Sequence, residues 1–382
     1  MNIVDFNYMD GNMIELLSPA GNMERLIMAL HYGADAVYLG GEKYSLRAFS
    51  DNFSIEQLGE AVSYTHALGK KVYFTLNIFA NNRDMDDMSE YISSVGACGV
   101  DAFIISDPGV LRIAKKICPE IPIHISTQAN ITNYESAAFW HDIGAERVVL
   151  ARELTLDDIA EIRAKTSPAL ELEAFVHGAM CVAYSGRCLV SSFLTGRSGN
   201  QGKCTQVCRW DFEIREKGRQ GQYLTLSEDS RGSYILNSRD MNMIRHIKEL
   251  SEAGISSFKI EGRMKTVYYT SVITRAYRLA VDDYLNGREF DEALYEETCK
   301  ASHRPYSEGF YFGKPANYTE SSDYIQEYSF VAVVRGYDAE KGEAIIEQRN
   351  NFSVGDVIEI LSTEREIKSF VVESIINEDG LS

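Results

Sequence analysis

The chain has 382 residues, 45% hydrophobic and 25% charged, enough for two domains or for one large barrel with an appendage. No run of about 18 uncharged apolar residues occurs, which argues against a transmembrane helix. The opening MNIVDFNYMDGNMIELLSPAG has neither a basic leader nor an apolar signal core, so a cytoplasmic location is expected, and a net charge of −18 means that any nucleic-acid substrate would need a local basic patch.

In chain order, IELLSP (14–19) reads as a first strand and NMERLIMALHY (22–32) as an amphipathic helix. A unit then appears at HYGADAVYLG (31–40) and returns at ACGVDAFIIS (97–106), DIGAERVVLA (142–151) and EAGISSFKIE (252–261). Each has a glycine suited to ending a helix, one or two polar residues, and a short β-rich run. KKVYFTLNIF (70–79), IPIHISTQAN (121–130) and LELEAFVHG (170–178) complete eight strands, with helical stretches such as TLDDIAEIRAKT (155–166) between them. Apolar strands alternating with helices predict a covered parallel sheet. Eight units favour an α/β fold of the (β/α)8 TIM-like barrel type, with a doubly wound open sheet as the rival.

The expected boundaries are a barrel over 1–300, an insertion over about 178–256 between strands seven and eight, and a linker over 301–315. VYYTSVITRAYRLAVDDYLNG (267–287) predicts a long helix near the end of the barrel. From about 316 onward YSFVAVVRGY, GEAIIEQR, VGDVIEIL and EIKSFVVESI alternate apolar and polar residues. They predict a small antiparallel β-domain over 316–382, with too few strands for a closed barrel and incomplete at its C-terminus.

In a barrel the loops after the strands form the working face. Polar residues at predicted strand ends are Asn77, Asp107, Gln128, Asn130, Arg152, Glu153, His177, Glu261 and Arg263. Any one of these serves equally as a structural hydrogen-bonder; their shared placement is the argument. His177, Arg152, Glu153, Glu261 and Arg263 are the candidates for catalytic groups. No general base is singled out.

Four of the seven cysteines fall in HGAMCVAYSGRCLVSSFLTGRSGNQGKCTQVCRW (177–210), as Cys181-x6-Cys188-x15-Cys204-x3-Cys208. In a reducing compartment such a group reads as metal-binding or catalytic before it reads as disulfides. Structural zinc favours two close knuckles, and only Cys204–Cys208 has that habit. An iron–sulfur cluster takes four thiolates at more permissive spacings. Inert buried thiols are the third possibility, and the spacing leaves zinc and iron–sulfur both open.

From Gly178 to Gln220, Arg187, Arg197, Lys203, Arg209, Arg215, Lys217 and Arg219 outnumber the acidic Asp211, Glu213 and Glu216. Arg187, Arg197, Lys203 and Arg209 are therefore candidate RNA contacts, against the alternative of an ordinary solvated loop. No HExxH, GxSxG or glycine-rich phosphate loop is present, and Ser185 and Ser191 near His177 form no known nucleophile arrangement.

ELEAFVHGAMCVAYSGRCLVSS (171–192) resembles the signature of the collagenase-like peptidases of unknown catalytic type, peptidase family U32. ELLSPAG, YGADAVYLGG, ISDPG, YILNSRDM and SFKIEGRMKTVYY extend the resemblance along the chain. GRCLVSSFLTGRSGNQGKCTQVCRWDF is most similar to the branch that hydroxylates the wobble uridine of tRNA to 5-hydroxyuridine without molecular oxygen. A sister branch, in ubiquinone hydroxylation, carries a 4Fe-4S cluster on cysteines of this region. The resemblance implies tRNA as substrate, prephenate as hydroxyl source, an electron-donor protein as a further partner, and Cys181, Cys188, Cys204 and Cys208 as cluster ligands. Some relatives use a cysteine after the NS(K/R)D motif. Here that position is Asn242, so the quoted stretch would supply all four ligands. NNFSVGDVIEILSTEREIKSF (350–370) resembles the family's small β-domain.

Overall fold

The helix-ending glycines Gly33, Gly99, Gly144 and Gly254 adopt φ of 97°, 82°, 92° and 92°, a left-handed turn that sends each helix straight into the following strand. A computed structural model describes residues 14–46, 51–181, 183–210, 228–229, 232–233, 239–313 and 324–377. Side-chain caps set the helix starts: Asn22 accepts from the Arg25 amide, and Thr155 and Asp158 form a reciprocal capping box.

The order is β1 (Glu15–Pro19), α1 (Met23–His31), β2 (Ala36–Gly40), α2 (Ile55–Ala67), β3 (Lys71–Leu76), α3 (Met88–Ala97), β4 (Ala102–Ile105), α4 (Pro108–Ile117), β5 (Ile123–Ile125), α5 (Tyr134–Asp142), β6 (Arg147–Val149), α6 (Leu156–Lys165) and β7 (Glu171–Ala179). After β7 come α7 (Val190–Thr195), a two-residue hairpin β8 (Glu228–Asp229) and β9 (Gly232–Ser233), then β10 (Asp240–Asn242), α8 (Ile247–Glu252) and β11 (Ser257–Ile260). Strands β1 to β7 pair in parallel in chain order, and β11 pairs with both β1 and β7, closing an eight-stranded parallel barrel. The barrel, not the open sheet, is the fold.

β7 is longer than its neighbours and leaves the barrel at its top, where His177, Gly178 and Ala179 pair antiparallel with β10. α9 (Val267–Leu285) and α10 (Glu292–Cys299) follow β11, and β12 (Tyr306–Ser307) then pairs with β10. The stretch expected as a linker is packed in place over its described part, 301–313: His303 and Arg304 are buried, and the Tyr311 hydroxyl donates to the Phe175 carbonyl at 2.6 Å.

The first residues of the strands carry a charged floor. Arg147 donates to Glu15 (2.5 Å), Glu171 (2.7 Å), Glu173 (3.1 Å) and the Ser257 hydroxyl (3.2 Å), while Lys259 donates to Glu173 at 2.6 Å. Tyr73 donates to Glu15 at 2.6 Å and packs edge-on against His124. Burial alone would raise the Glu15 carboxyl, but the Arg147 guanidinium outweighs it and holds it low. Burial, with Arg147 and Lys259 close by, keeps His124 neutral.

Two hairpins end the chain: β13 (Ala332–Asp338) with β14 (Glu343–Gln348), and β15 (Val357–Ile360) with β16 (Lys368–Val371). They are the expected antiparallel element; residues 314–323 and 378–382 lie outside the described residues. Arg275 of α9, 1% exposed, docks this region by donating to the carbonyls of Ser362 (2.6 Å), Arg365 (2.9 Å) and Glu364 while it pairs with Glu297. Among the described residues no helix is long and apolar enough to cross a membrane.

Candidate active site at the barrel mouth

The cysteine loop starts where β7 ends, and a buried arginine anchors its root. Arg152, three residues beyond β6, donates to the Ala179 carbonyl at 3.0 Å and to the Ser185 hydroxyl at 2.9 Å. Burial would lower its pKa, but the facing Cys181, Glu261 and Glu153 raise it, so its charge is secure. The loop then passes close over its neighbours. Gly186 has φ of 75°, and a Cβ there would lie 2.5 Å from the Phe79 ring and 2.9 Å from the Gln128 carbonyl oxygen. The Phe79 amide donates to the Asn200 carbonyl at 3.0 Å, a second tie between loop and barrel.

The rest of the loop folds on itself. Ser191 donates to the Arg197 carbonyl at 2.7 Å and accepts from the Thr205 amide at 3.1 Å, seating α7 beside the 3-10 turn Val207–Arg209. Cys188, Cys204 and Cys208 therefore belong to one small unit, with Cys181 at its root. Cys181 and Cys204 are exposed, and Cys188 and Cys208 half-buried. The Gln206 amide donates to the Cys204 sulfur at 3.4 Å, the kind of contact that tunes a thiolate ligand.

None of the four thiols is in a disulfide, and among the described residues no three His, Cys, Asp or Glu side chains converge as a metal site requires. The donor set itself fits a four-thiolate cluster in number and in kind, since no Asp or Glu lies between Cys181 and Trp210 to compete. What the fold supplies is a shared, tethered loop with sulfur-directed amides, not a preformed ligand sphere. Asn242 is fully employed otherwise: it donates to Thr298 (2.8 Å) and accepts from the Ile244 amide and the Tyr277 hydroxyl (both 3.2 Å).

Around the mouth, Arg263 is 3% exposed and donates to Ser45 (2.7 Å), Thr75 (3.1 Å) and Asn52 (2.9 Å). Glu261 accepts from the Tyr38 hydroxyl at 3.2 Å. Asn77 accepts from the Leu46 amide at 3.2 Å and donates to Ser126 at 3.3 Å, whereas Asp107 caps α4. Gln128 Oε1, Asn130 Oδ1 and Glu153 Oε2 are buried with no hydrogen-bond donor among the described residues. They follow the adjacent strands β5 and β6. Burial pushes the Glu153 carboxyl up, partly offset by Arg152. Buried acceptors left unmatched are rare, and this set suits a ligand that brings its own N–H or O–H donors.

His177 departs from its expected place. It is 1% exposed, with Nδ1 3.4 Å from the Tyr277 hydroxyl and Nε2 3.4 Å from the Tyr306 hydroxyl. Burial, reinforced by Lys265 and His303, pushes it down to about 3. The cause is the extension of β7, which aims this residue at α9 and β12 instead of the mouth. His177 is thus a neutral packing residue, not a catalytic one. Ser185 is held by Arg152 and Ser191 by the loop backbone, so neither forms a pair with a histidine.

Arg187, Arg197 and Lys203 are exposed on the loop; the Arg209 side chain and residues 211–227 lie outside the described residues. The buried floor of Lys259, Glu173 and Arg147 was not anticipated, although charges at alternate positions of LELEAF and SFKIE are its signal.

The model of peptidase family U32 matches residues 21–321, and that of the peptidase family U32 C-terminal domain matches residues 326–382. The chain is 38% identical to tRNA hydroxylation protein P1 of Bacillus subtilis, covering 96% of this chain and 87% of the relative. It is also 38% identical to tRNA hydroxylation protein P of Escherichia coli, covering 96% and 90%. A third relative, the 23S rRNA 5-hydroxycytidine C2501 synthase of Escherichia coli, is 38% identical over 72% of this chain and 40% of its own length. Matched over 21–321 and again over 326–382, the chain belongs to peptidase family U32.

Proposed function

We propose that this protein hydroxylates C5 of the wobble uridine of tRNA, without molecular oxygen and with prephenate as the hydroxyl source. The observation that carries the reading is the acid-free, four-cysteine, basic loop tethered over a barrel mouth. Two relatives matched over most of their length are named for tRNA hydroxylation, and a third for making a 5-hydroxypyrimidine in rRNA.

Replacing C5–H by C5–OH removes two electrons from the pyrimidine, which asks for a redox group. A 4Fe-4S cluster held by Cys181, Cys188, Cys204 and Cys208 would supply that capacity and zinc would not. The two electrons leaving the ring must pass on, so a separate redox protein would serve as their acceptor and not as a donor. The chain's own residues do the rest. An anticodon loop presents its bases largely unstacked, so the uracil enters the mouth without melting a duplex. There its single N3–H and the ribose hydroxyls are the donors that would meet the unmatched acceptors Gln128, Asn130 and Glu153. Arg152 and Arg263, each fixed by the loop or the barrel, provide the positive field for the carboxylates of prephenate. Arg187, Arg197 and Lys203, exposed on the loop, would take the phosphates, with Arg209 as a further cation in the same sequence segment.

The test is to delete the gene and weigh the wobble nucleosides by mass spectrometry. Loss of 5-hydroxyuridine and its derivatives is expected. Unchanged levels in a cell without a second copy of the family sink the reading. The family's name favours peptidase activity as a second reading. Gelatin cleavage by purified, metal-loaded protein, abolished in the cysteine variants, would establish it.

A further inference from the structure

Phe193 of α7 is 83% exposed, more than any other large apolar side chain among the described residues. Leu189 and Leu194 beside it are 54% and 55% exposed, and Tyr184 and Trp210 at the two ends of the loop are 48% and 53% exposed. Exposed apolar side chains on a surface are ordinary when scattered, but these share one short segment whose backbone is fixed. The Phe193 amide donates to the Leu189 carbonyl at 3.0 Å, Thr195 donates to the Ser191 carbonyl at 2.8 Å, and Gly196 ends the helix at φ of 68°. The ring is therefore presented on a helix that is itself braced by the Ser191–Thr205 contacts.

Charge identifies the occupant. In a chain of net charge −18 this segment has no acidic residue from Cys181 to Trp210, and its three aromatics are separated by one and then three cations, in the order Tyr184, Arg187, Phe193, Arg197, Lys203, Arg209, Trp210. Arg187 and Lys203 make no ion pair among the described residues. Single aromatics separated by cations are the pattern of surfaces that hold single-stranded nucleic acid, stacking bases and screening the phosphates between them. A protein partner would be met by a continuous apolar core with charge at its rim.

We infer that α7 is a base-stacking platform: Phe193 stacks on an unpaired base neighbouring the one that enters the barrel mouth, and Arg187 and Lys203 take the adjoining phosphates. The inference rests on the reading of RNA as substrate, and it assigns the recognition of an open loop to this helix.

The test is equilibrium binding by the full-length protein to two RNAs at several salt concentrations: an anticodon stem-loop, and the same stem closed into continuous duplex. Phe193→Ala should weaken stem-loop binding about 5- to 150-fold while leaving the salt slope unchanged, and Phe193→Trp should retain it. Arg187→Ala with Lys203→Ala should lower the slope of log affinity against log salt by about 1.4. Because Phe193 is exposed, its alanine variant should melt with the wild type. Stem-loop binding untouched by Phe193→Ala, or an equal loss for loop and duplex, overturns the inference while the RNA reading stands. In the first of these outcomes the surface belongs to a protein partner, and in the second it holds RNA without reading the open loop. Wild-type protein that binds neither RNA overturns both.

Discussion

The two ends of the barrel treat polar groups in opposite ways. At the floor, two cations and three carboxylates from β1, β6, β7 and β11 are paired at 2.5–3.1 Å, and hydroxyls of Tyr73 and Ser257 take up further lone pairs. At the mouth, Gln128, Asn130 and Glu153 each leave a buried oxygen unmatched among the described residues, and four thiols outside any disulfide share a basic loop. Same fold, same strands, yet the Arg147–Lys259 network matches its charges, with His124 Nδ1 left unmatched beside it, whereas the mouth leaves a group of carboxyl and amide acceptors open. Saturation secures a fold, and unmatched groups await a ligand, so stability and function are separable here along the barrel axis.

The largest effect expected from that contrast is at the thiols. Replacing Cys181, Cys188, Cys204 and Cys208 together by Ser should reduce wobble-uridine hydroxylation in a deletion strain to background, read by nucleoside mass spectrometry. The thermal transition of the barrel should survive. A variant that loses the barrel as well would show that the mouth is structural.

Next comes the floor. Arg147→Met leaves buried Glu15 and Glu173 facing one another with Lys259 alone, and should cost about 3–5 kcal/mol in urea unfolding at neutral pH. Activity per folded molecule should hold. A cost below about 1 kcal/mol would place this network with exposed ion pairs and erase the distinction between the ends.

The acid limb follows. Folded His177 titrates near 3, against about 6.5 in the unfolded chain, so the unfolded state takes up the proton first as pH falls. Its contribution is complete above about pH 6.5 and is lost on the way down to about 3, amounting to about 3 kcal/mol between pH 7 and pH 4. Burial keeps His303 and His124 low as well and adds in the same direction. His177→Gln should therefore shrink the difference in unfolding free energy between pH 7 and pH 4. An unchanged difference would mean that the imidazole reaches solvent.

The smallest effect is at the loop surface. Arg187→Ala with Lys203→Ala should weaken tRNA binding about tenfold at moderate salt, with no loss of barrel stability. An equal loss for an uncharged ligand would remove the electrostatic reading.

Much of the fold was legible because its punctuation is local. Gly33, Gly99, Gly144 and Gly254 announce their turns by residue type alone, and predicted helices such as 22–32, 155–166 and 267–287 coincide with α1, α6 and α9 to within two residues. The cysteine loop was legible by density and by its place after the seventh strand. What escaped depends on distant partners. Arg147 meets Glu15 across 132 positions, and whether a strand charge points inward follows only from closure of the barrel. His177 was misplaced for a related reason. Nothing in LELEAFVHGA marks where β7 stops serving the barrel and begins pairing with β10, and that change of partner turns the imidazole away from the mouth. The convergence of the thiols is set by a ligand and not by the local sequence, so spacing alone was never enough to define it.

The docking of the last hairpins is asymmetric in a way that bears on their evolution. Arg275 grips the carbonyls of Ser362, Glu364 and Arg365, and a carbonyl is the same whatever side chain follows it. At 362 and 364 the joint thus reads the path of the incoming chain and ignores its spelling, whereas Arg365 adds side-chain ion pairs to Asp283 and Asp291. Mutations at 362 and 364 can accumulate without loosening it, whereas a single change at 275 is felt at once. Sequence drift is cheap at 362 and 364, and costly at 275 and at Arg365, whose side chain is itself read.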